Sequence, residues 1–244
     1  MTRFILTVVL SILLPCGSLS TTAKVGRNRG GAVPAETRAI LAFALLADRT
    51  TGSIHRVNLI DGNQTDSVVA TGLGALRGTT LAGRKLFAFN DDGLLYRLTF
   101  DHDWDPLQLT FIGSLAQAGN LAGNAIYVEG KNLYTAGPCG VARFRLSNEK
   151  FIPKADSAHP RLEFKGVVAT VNVASFATIP EGTLFLLGTS NGALYQVGLT
   201  NGKRDWSTLQ PYKNVLVDRA AAIAGDPQGN LFAAVSSYRL VTAL

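Results

Sequence analysis

The densest group of side chains able to do chemistry is Asp101-His-Asp-Trp-Asp105. Three carboxylates at alternate positions resemble the start of a calcium loop, because a hard dication wants several oxygen ligands from a chain that curls around it. The pattern then departs from such a loop. Pro106 stands where a glycine belongs, and no acid follows at the closing position. Proline fixes its own φ and biases Asp105 away from the helical region. The residues read first as an exposed acidic turn. A calcium site at Asp101, Asp103 and Asp105 is the alternative, and no other cofactor is indicated.

A second group is basic and aromatic. Lys203-Arg204 stands beside Trp206, with Tyr212 and Lys213 further on. Cations next to exposed rings suit an acidic glycan or a protein rim. A solvated outer edge, where lysine and arginine deter sheet-to-sheet pairing, is the plainer reading of the same residues. Gly188-Thr-Ser-Asn-Gly192 matches the serine-hydrolase pattern Gly-x-Ser-x-Gly. That elbow needs a helix after the serine, whereas Ala193–Leu199 reads as a strand, so Ser190 belongs to a hairpin. His55, His102 and His159 show no short metal spacing, and the glycine-rich pieces lack the strand–loop–helix context of a phosphate site.

The start of the chain points to a compartment. Arg3 precedes an apolar run from Phe4 to Leu14, followed by Pro15 and small residues, which is the pattern of a secretion signal. The run falls short of the roughly 20 residues a membrane span needs. Cleavage is expected near Thr21 or Lys24, giving a secreted protein with no stable membrane insertion; an uncleaved anchor and lipidation at Cys16 are the alternatives. Removal of the signal leaves Cys139 without a partner for an intrachain disulfide. Residues 24–34 carry three basic residues and three glycines, too few charges for a nucleic-acid tail, and nucleic acid is not expected as a partner. Asn63-Gln-Thr65 is a glycosylation sequon beside an expected turn. The organisation is thus a signal at 1–20, a basic, glycine-rich arm at 21–38, and one domain at 39–244. Charged residues are 16% and hydrophobic residues 47%, which excludes a disordered chain.

The elements that would position these groups repeat. Four segments share an apolar strand, a tight turn ending in glycine, and a second strand with period-two alternation; the turn glycines are Gly52, Gly93, Gly140 and Gly192. Their spacings are 41, 47 and 52 residues. A fifth copy, from Leu231, lacks the glycine. Strands rich in Gly, Ala and Ser precede three of the pairs and the fifth copy, as small residues must where strands crowd a central axis. A more polar fourth strand follows some units, for example Leu107–Ile112. No window carries a capped helical stripe. Four antiparallel strands at this period predict an all-β protein, a β-propeller of four-stranded antiparallel blades. Five copies favour five blades, with four or six as alternatives.

Ala220-Ala-Ala-Ile-Ala-Gly-Asp-Pro-Gln-Gly-Asn-Leu-Phe-Ala-Ala234 resembles the repeat of the NHL and gluconolactonase-like propeller group. Asp48-Arg-Thr-Thr-Gly-Ser-Ile-His-Arg-Val-Asn-Leu59 resembles the strand pair that follows in such repeats. The likeness runs from about residue 40 onward and lies in blade geometry. It implies calcium-dependent lactonases, strictosidine-synthase-like enzymes or binding scaffolds, and no lactonase metal ligand is matched. The favoured expectation is a secreted, non-catalytic propeller that binds a protein or a carbohydrate. A lactonase-like or strictosidine-synthase-like enzyme acting on a small molecule is the alternative.

Overall fold

In the computed structural model, residues 7–9, 43–48, 50–58, 66–121, 123, 125–146, 162–188, 192–216, 220–226, 228–235 and 240–243 are described. The glycosylation sequon at Asn63, Cys16, the arm at 24–34, His159, Ser190 and most of the signal sequence lie outside them.

The middle of each blade is the simplest element to explain. β6 (Lys85–Asn90) reads Lys-Leu-Phe-Ala-Phe-Asn and is buried from Leu86 onward. Leu86 and Ala88 pack against Leu45 and Ile54 of the preceding sheet and against Leu73 of the linker that follows it. Phe87 and Phe89 turn the other way, onto Ile126, Leu133 and Phe144 of the following sheet. β14 (Leu184–Gly188) repeats this, with Leu184 and Leu186 facing Tyr134 and Val141. Phe185 and Leu187 face Ile223 and Leu231. A strand covered on both faces needs apolar residues at every position, which is why these segments show no alternation. Four apolar clusters, one between each successive pair of sheets, form the core.

The sheets follow chain order. β1 (Thr7–Val9), β2 (Phe43–Asp48), β3 (Ser53–Asn58) and β4 (Asp66–Ala70) form the first. β5 (Leu76–Ala82), β6, β7 (Leu94–Phe100) and β8 (Pro106–Ser114) form the second. β9 (Ala125–Glu129), β10 (Asn132–Gly137), β11 (Gly140–Leu146) and β12 (Leu162–Ala169) form the third. In the fourth, β13 (Val173–Thr178), β14 and β15 (Ala193–Val197) are completed by β18 (Gln210–Leu216). A small hairpin, β16 (Leu199–Thr200) and β17 (Lys203–Arg204), is inserted before β18. β19 (Ala220–Gly225), β20 (Leu231–Val235) and β21 (Leu240–Ala243) make a three-stranded fifth sheet. All pairings are antiparallel.

The fold is an all-β propeller with four complete four-stranded blades and a three-stranded fifth sheet. The small-residue strands take the innermost positions: β5 touches β9, β9 touches β13, and β13 touches β19. Among the described residues, no contact of this extent joins the fifth sheet to the first. β1 lies within the stretch read as a signal and pairs with Leu45, Leu46 and Ala47. Removal of that stretch would leave β2 as the innermost strand of the first sheet.

The repeated turn glycine has a specific task. Gly52 and Gly93 adopt positive φ, 66° and 72°, closing the hairpin between the second and third strands. Each carbonyl then accepts the N–H of a buried leucine on the linker to the next blade. Leu73 N–H donates to Gly52 O at 3.2 Å, and Leu115 N–H to Gly93 O at 2.8 Å. The glycine therefore ties its own blade to the entry of the next.

Candidate functional site

The acidic turn is a closed hydrogen-bonded unit. Asp101 Oδ1 accepts the N–H groups of Asp103 (2.9 Å) and Asp105 (2.8 Å), while Asp101 N–H donates to Asp105 O at 3.0 Å. Trp104 holds φ +65° and lays its ring against Phe100, with centroids 5.6 Å apart. Asp105 Oδ1 accepts from Arg56 Nη1 at 2.9 Å, and the same nitrogen donates to Trp104 O at 2.9 Å. Arg56 stands on β3, so the turn fastens the first blade to the second. Asp226 builds the same unit between β19 and β20, accepting the N–H groups of Gln228 (2.9 Å) and Asn230 (2.8 Å).

One ligand atom each from Asp101, His102 and Asp103 can be found within 4.8 Å of one another. This set does not fit calcium well. It offers an imidazole where a hard cation wants oxygen, and Asp105 is turned to Arg56 instead. His102 Nε2 also lies 2.8 Å from Asp103 Oδ2. The expected result is a melting temperature unchanged between excess chelator and millimolar calcium, read by differential scanning calorimetry. A calcium-dependent rise that disappears in Asp103→Ala would show instead that the turn opens to bind the ion.

The basic and aromatic patch is divided by the structure. Lys203 is exposed on the inserted hairpin. Arg204, one residue on, has a side chain only 2% exposed. Its Nη2 donates to Glu129 Oε1 and its Nη1 to the carbonyls of Gly182 and Val197, each at 2.7 Å. Glu129 ends β9, so this ion pair clamps the third blade to the fourth. Arg204 is thereby removed from the exposed binding group in which sequence placed it. Its guanidinium donates to the turn carbonyl of Gly182 and to the carbonyl of Val197 at the end of β15.

Trp206 lies in a short 3-10 turn, Trp206–Thr208, capped by the Asp205 carboxylate. Its ring packs on Tyr134 at 5.1 Å, and Tyr127 stacks on Tyr134 at 6.2 Å. Burial pushes the Tyr127 phenol up to about 12, with the Glu129 charge adding to the rise. Burial raises Tyr134 as well, and the nearby Trp206 indole partly offsets it. The indole N–H approaches that phenol without reaching the geometry of a normal hydrogen bond. Trp206 is thus part of an inter-blade aromatic cluster.

Tyr212 sits apart from that cluster, on β18, edge-on to Phe185 with ring centroids 5.0 Å apart. Lys213 follows at φ +46°, beside the register irregularity that β18 makes with β15. Its Nζ lies 5.1 Å from the centre of the Tyr212 ring. A bulge re-aims side chains at a sheet edge. Here it leaves an exposed cation resting on a half-buried ring, with exposed Lys203 elsewhere on the same blade.

Other acids act as turn acceptors. Asp205 takes Ser207 N–H at 3.0 Å and Thr200 Oγ1–H at 2.8 Å; Asp48 takes Thr50 N–H at 2.8 Å and Thr51 Oγ1–H at 2.7 Å. Hydrogen bonds from Thr51, Ser207 and Asn230 hold the carboxyls of Asp48, Asp205 and Asp226 below the ordinary carboxylate value. A lowered folded-state value means stability that is complete above the unfolded value and lost as pH falls through the folded one. The denaturation midpoint should hold through neutral pH and fall below about pH 4. In Asp205→Asn that acid-side fall should be shallower, as read by urea titrations at stepped pH.

No family model matches this chain, and no relative is found among curated proteins. Solved structures do match. An auxiliary nutrient binding protein from Bacteroides thetaiotaomicron VPI-5482 is 11% identical over 82% of this chain and 56% of its own, with a TM-score of 0.53. The β-propeller domain of Cps50 (Swd1) from Myceliophteria thermophila is 13% identical over 83% of this chain and 66% of its own, at 0.48. Glutaminyl cyclase from Myxococcus xanthus is 11% identical over 79% of this chain and 81% of its own, at 0.48. The chain spans less than two thirds of the first two. At these identities the likeness concerns the propeller fold. Among the described residues, no helix is long and apolar enough to cross a membrane.

Proposed function

We propose that this chain is an exported, non-catalytic propeller that binds an anionic partner, a glycan or a protein, on the outer part of its fourth blade. The observation that carries the reading is the Lys213 ammonium held over the Tyr212 ring at the β18 bulge. A cation on an aromatic face offers charge and a flat apolar surface together, which suits acidic sugars and acidic protein rims. Lys203 adds a second exposed charge on the same blade. The engagement of Asp48, Asp101, Asp205 and Asp226 as turn acceptors supports the non-catalytic part. A general acid near neutral pH needs a raised value, and three of these four are lowered. A nutrient binding protein among the similar folds accords with this reading.

Binding is tested by calorimetric titration of carboxylated and sulfated oligosaccharides and of acidic peptides. One class should bind with an affinity that falls as salt rises, and Lys213→Ala with Tyr212→Ala should abolish it. Absence of binding in both classes, or binding unaffected by the double change, would refute the assignment. Export rests on the Arg3–Leu14 pattern, and protein from the culture medium should begin near Thr21 or Lys24. Retention of residues 1–20 in a membrane fraction would count against it. The Asp101, His102 and Asp103 grouping favours the second reading, a lactonase-like enzyme of the gluconolactonase-like group. The calcium experiment above decides it.

A further inference from the structure

The third strands of the first three blades carry an arginine at one shared position: Arg56, Arg97 and Arg143. They stand directly opposite Leu45, Phe87 and Tyr134, the second-strand residues that pack on the following blade. Cross-strand partners share a face of the sheet, so each arginine is directed at the blade ahead of it. Arg56 finds its acceptors there, Trp104 O and Asp105 Oδ1 in the turn between β7 and β8. The corresponding segment of the third blade, 147–161, lies outside the described residues. Arg143 faces the corresponding segment of the fourth blade, between β15 and β18, and there the pairing fails. Its side chain is half-buried, and its Nε is buried with no hydrogen-bond partner. The acid of that segment, Asp205, accepts from Ser207 and Thr200 instead. Glu129, at the same seam, is held by Arg204.

A second orphaned donor lies in this seam. Trp206 Nε1–H is buried and also lacks an acceptor. Tyr134 adjoins both groups. It is the strand partner of Arg143, and its ring centre stands 5.1 Å from that of Trp206. Burial raises the Tyr134 phenol, opposed first by the Trp206 indole and then by the Arg143 charge. On the other side of Arg143, β12 offers Gly166, which has no side chain to cover the guanidinium. An added Cβ at Gly166 would meet nothing within 4 Å. Buried donors without acceptors are costly and uncommon, and two of them beside one tyrosine call for an acceptor from outside the chain.

We infer that the seam between the third and fourth blades binds a small carboxylate, whose oxygens accept from Arg143 and from Trp206 Nε1–H. A single unanswered guanidinium among neutral donors suits a monoanion, and its planar fork matches the planar carboxylate. The rings of Tyr134 and Trp206 offer an apolar wall to the rest of the ligand. The site is separate from the Lys213–Tyr212 face and does not rest on it, since Tyr212 packs on Phe185 in the cluster shared with the fifth sheet.

Nitrogen–proton correlation spectra of the full chain test this, because its two tryptophans give two indole N–H signals, assigned with Trp104→Phe. Acetate and benzoate, titrated at constant ionic strength, should move the Trp206 signal downfield to saturation and leave that of Trp104 in place. Arg143→Gln should weaken the response by roughly tenfold or more. Arg145→Gln, exposed on the same strand, should leave it unchanged. Urea denaturation without any ligand supplies a second reading. Arg143→Met removes a desolvated charge that has no counter-ion, so its midpoint should equal or exceed the parent's. Arg56→Met breaks an ion pair and should lower it. A Trp206 signal unmoved by either carboxylate would overturn the inference, as would an Arg143→Met midpoint lowered as far as that of Arg56→Met. Phosphate or sulfate moving the signal where acetate and benzoate do not would overturn the assignment to carboxylates.

Discussion

Glu129→Ala should cost about 2–4 kcal/mol of folding stability, a large share of what a domain of this size possesses. The Arg204 side chain is 2% exposed and its counter-charge is the Glu129 carboxylate 2.7 Å away. Removing that carboxylate leaves a guanidinium buried with two neutral carbonyls and no anion. The Glu129 side chain is 30% exposed, so water entering the gap offsets part of the loss, which sets the range below that of a wholly buried pair. Replacing both charges, as Glu129→Leu with Arg204→Met, should restore only part of the stability. Gly182 O and Val197 O would then lack their donor, and an unsatisfied buried carbonyl carries its own cost. Urea denaturation of the three variants is the measurement. A Glu129→Ala midpoint equal to the parent's would mean that the third and fourth blades are held by their apolar contacts alone.

Gly52→Ala is expected to be nearly as damaging, at roughly 2–4 kcal/mol, for a different reason. Gly52 stands at φ +66°, and a Cβ there would lie 2.3 Å from Gly74 O and 2.7 Å from Gly74 N. Both atoms belong to backbone, so no side chain can swing aside. To relieve the overlap, the linker carrying Leu73 must move off the turn, which breaks the Leu73 N–H bond to Gly52 O and lifts a buried leucine from the first inter-blade core. Gly83→Ala provides the comparison. Gly83 has a similar φ, +59°, but nothing within 4 Å of the added carbon. It should lose only the backbone term, about 1 kcal/mol. If both alanine variants shift the urea midpoint equally, the contact between Gly52 and Gly74 is not what holds the linker.

The period of the repeat and the alternation of β7 placed strands where the structure has them, because both depend on neighbours within one strand or hairpin. The inner strands announced themselves by small residues for the same local reason. Several elements were not legible. β12 alternates only over Leu162-Glu-Phe-Lys165 before Gly166 interrupts it, so its period-two run is too short to stand out. The inserted hairpin Leu199–Arg204 is only a few residues long and has no periodicity to read. β1 is hidden in the apolar stretch of the signal pattern, and its Thr-Val-Val lacks the small residues that mark β5 and β19. The expected five blades become four complete ones and a sheet of three strands, since sequence counts copies of a grammar and not the partners each strand finds.

What the sequence determined by itself was therefore the repeating unit: all-β blades, their order, the hairpin glycines, and the two-sided apolar strands between them. The tertiary structure alone decided what the charged groups do. Arg204 and Glu129 are 75 positions apart, and Arg56 and Asp105 are 49 apart. Nothing local in either pair marks the other. They meet because the lateral packing of neighbouring blades carries strand ends past one another, and a buried guanidinium must find a carboxylate or carbonyl there. Lys213, exposed at its bulge, keeps its charge over the Tyr212 ring at the surface. Two basic residues of similar sequence surroundings thus separate into an inter-blade clamp and a candidate binding group, by a difference in burial that only the packed blades create.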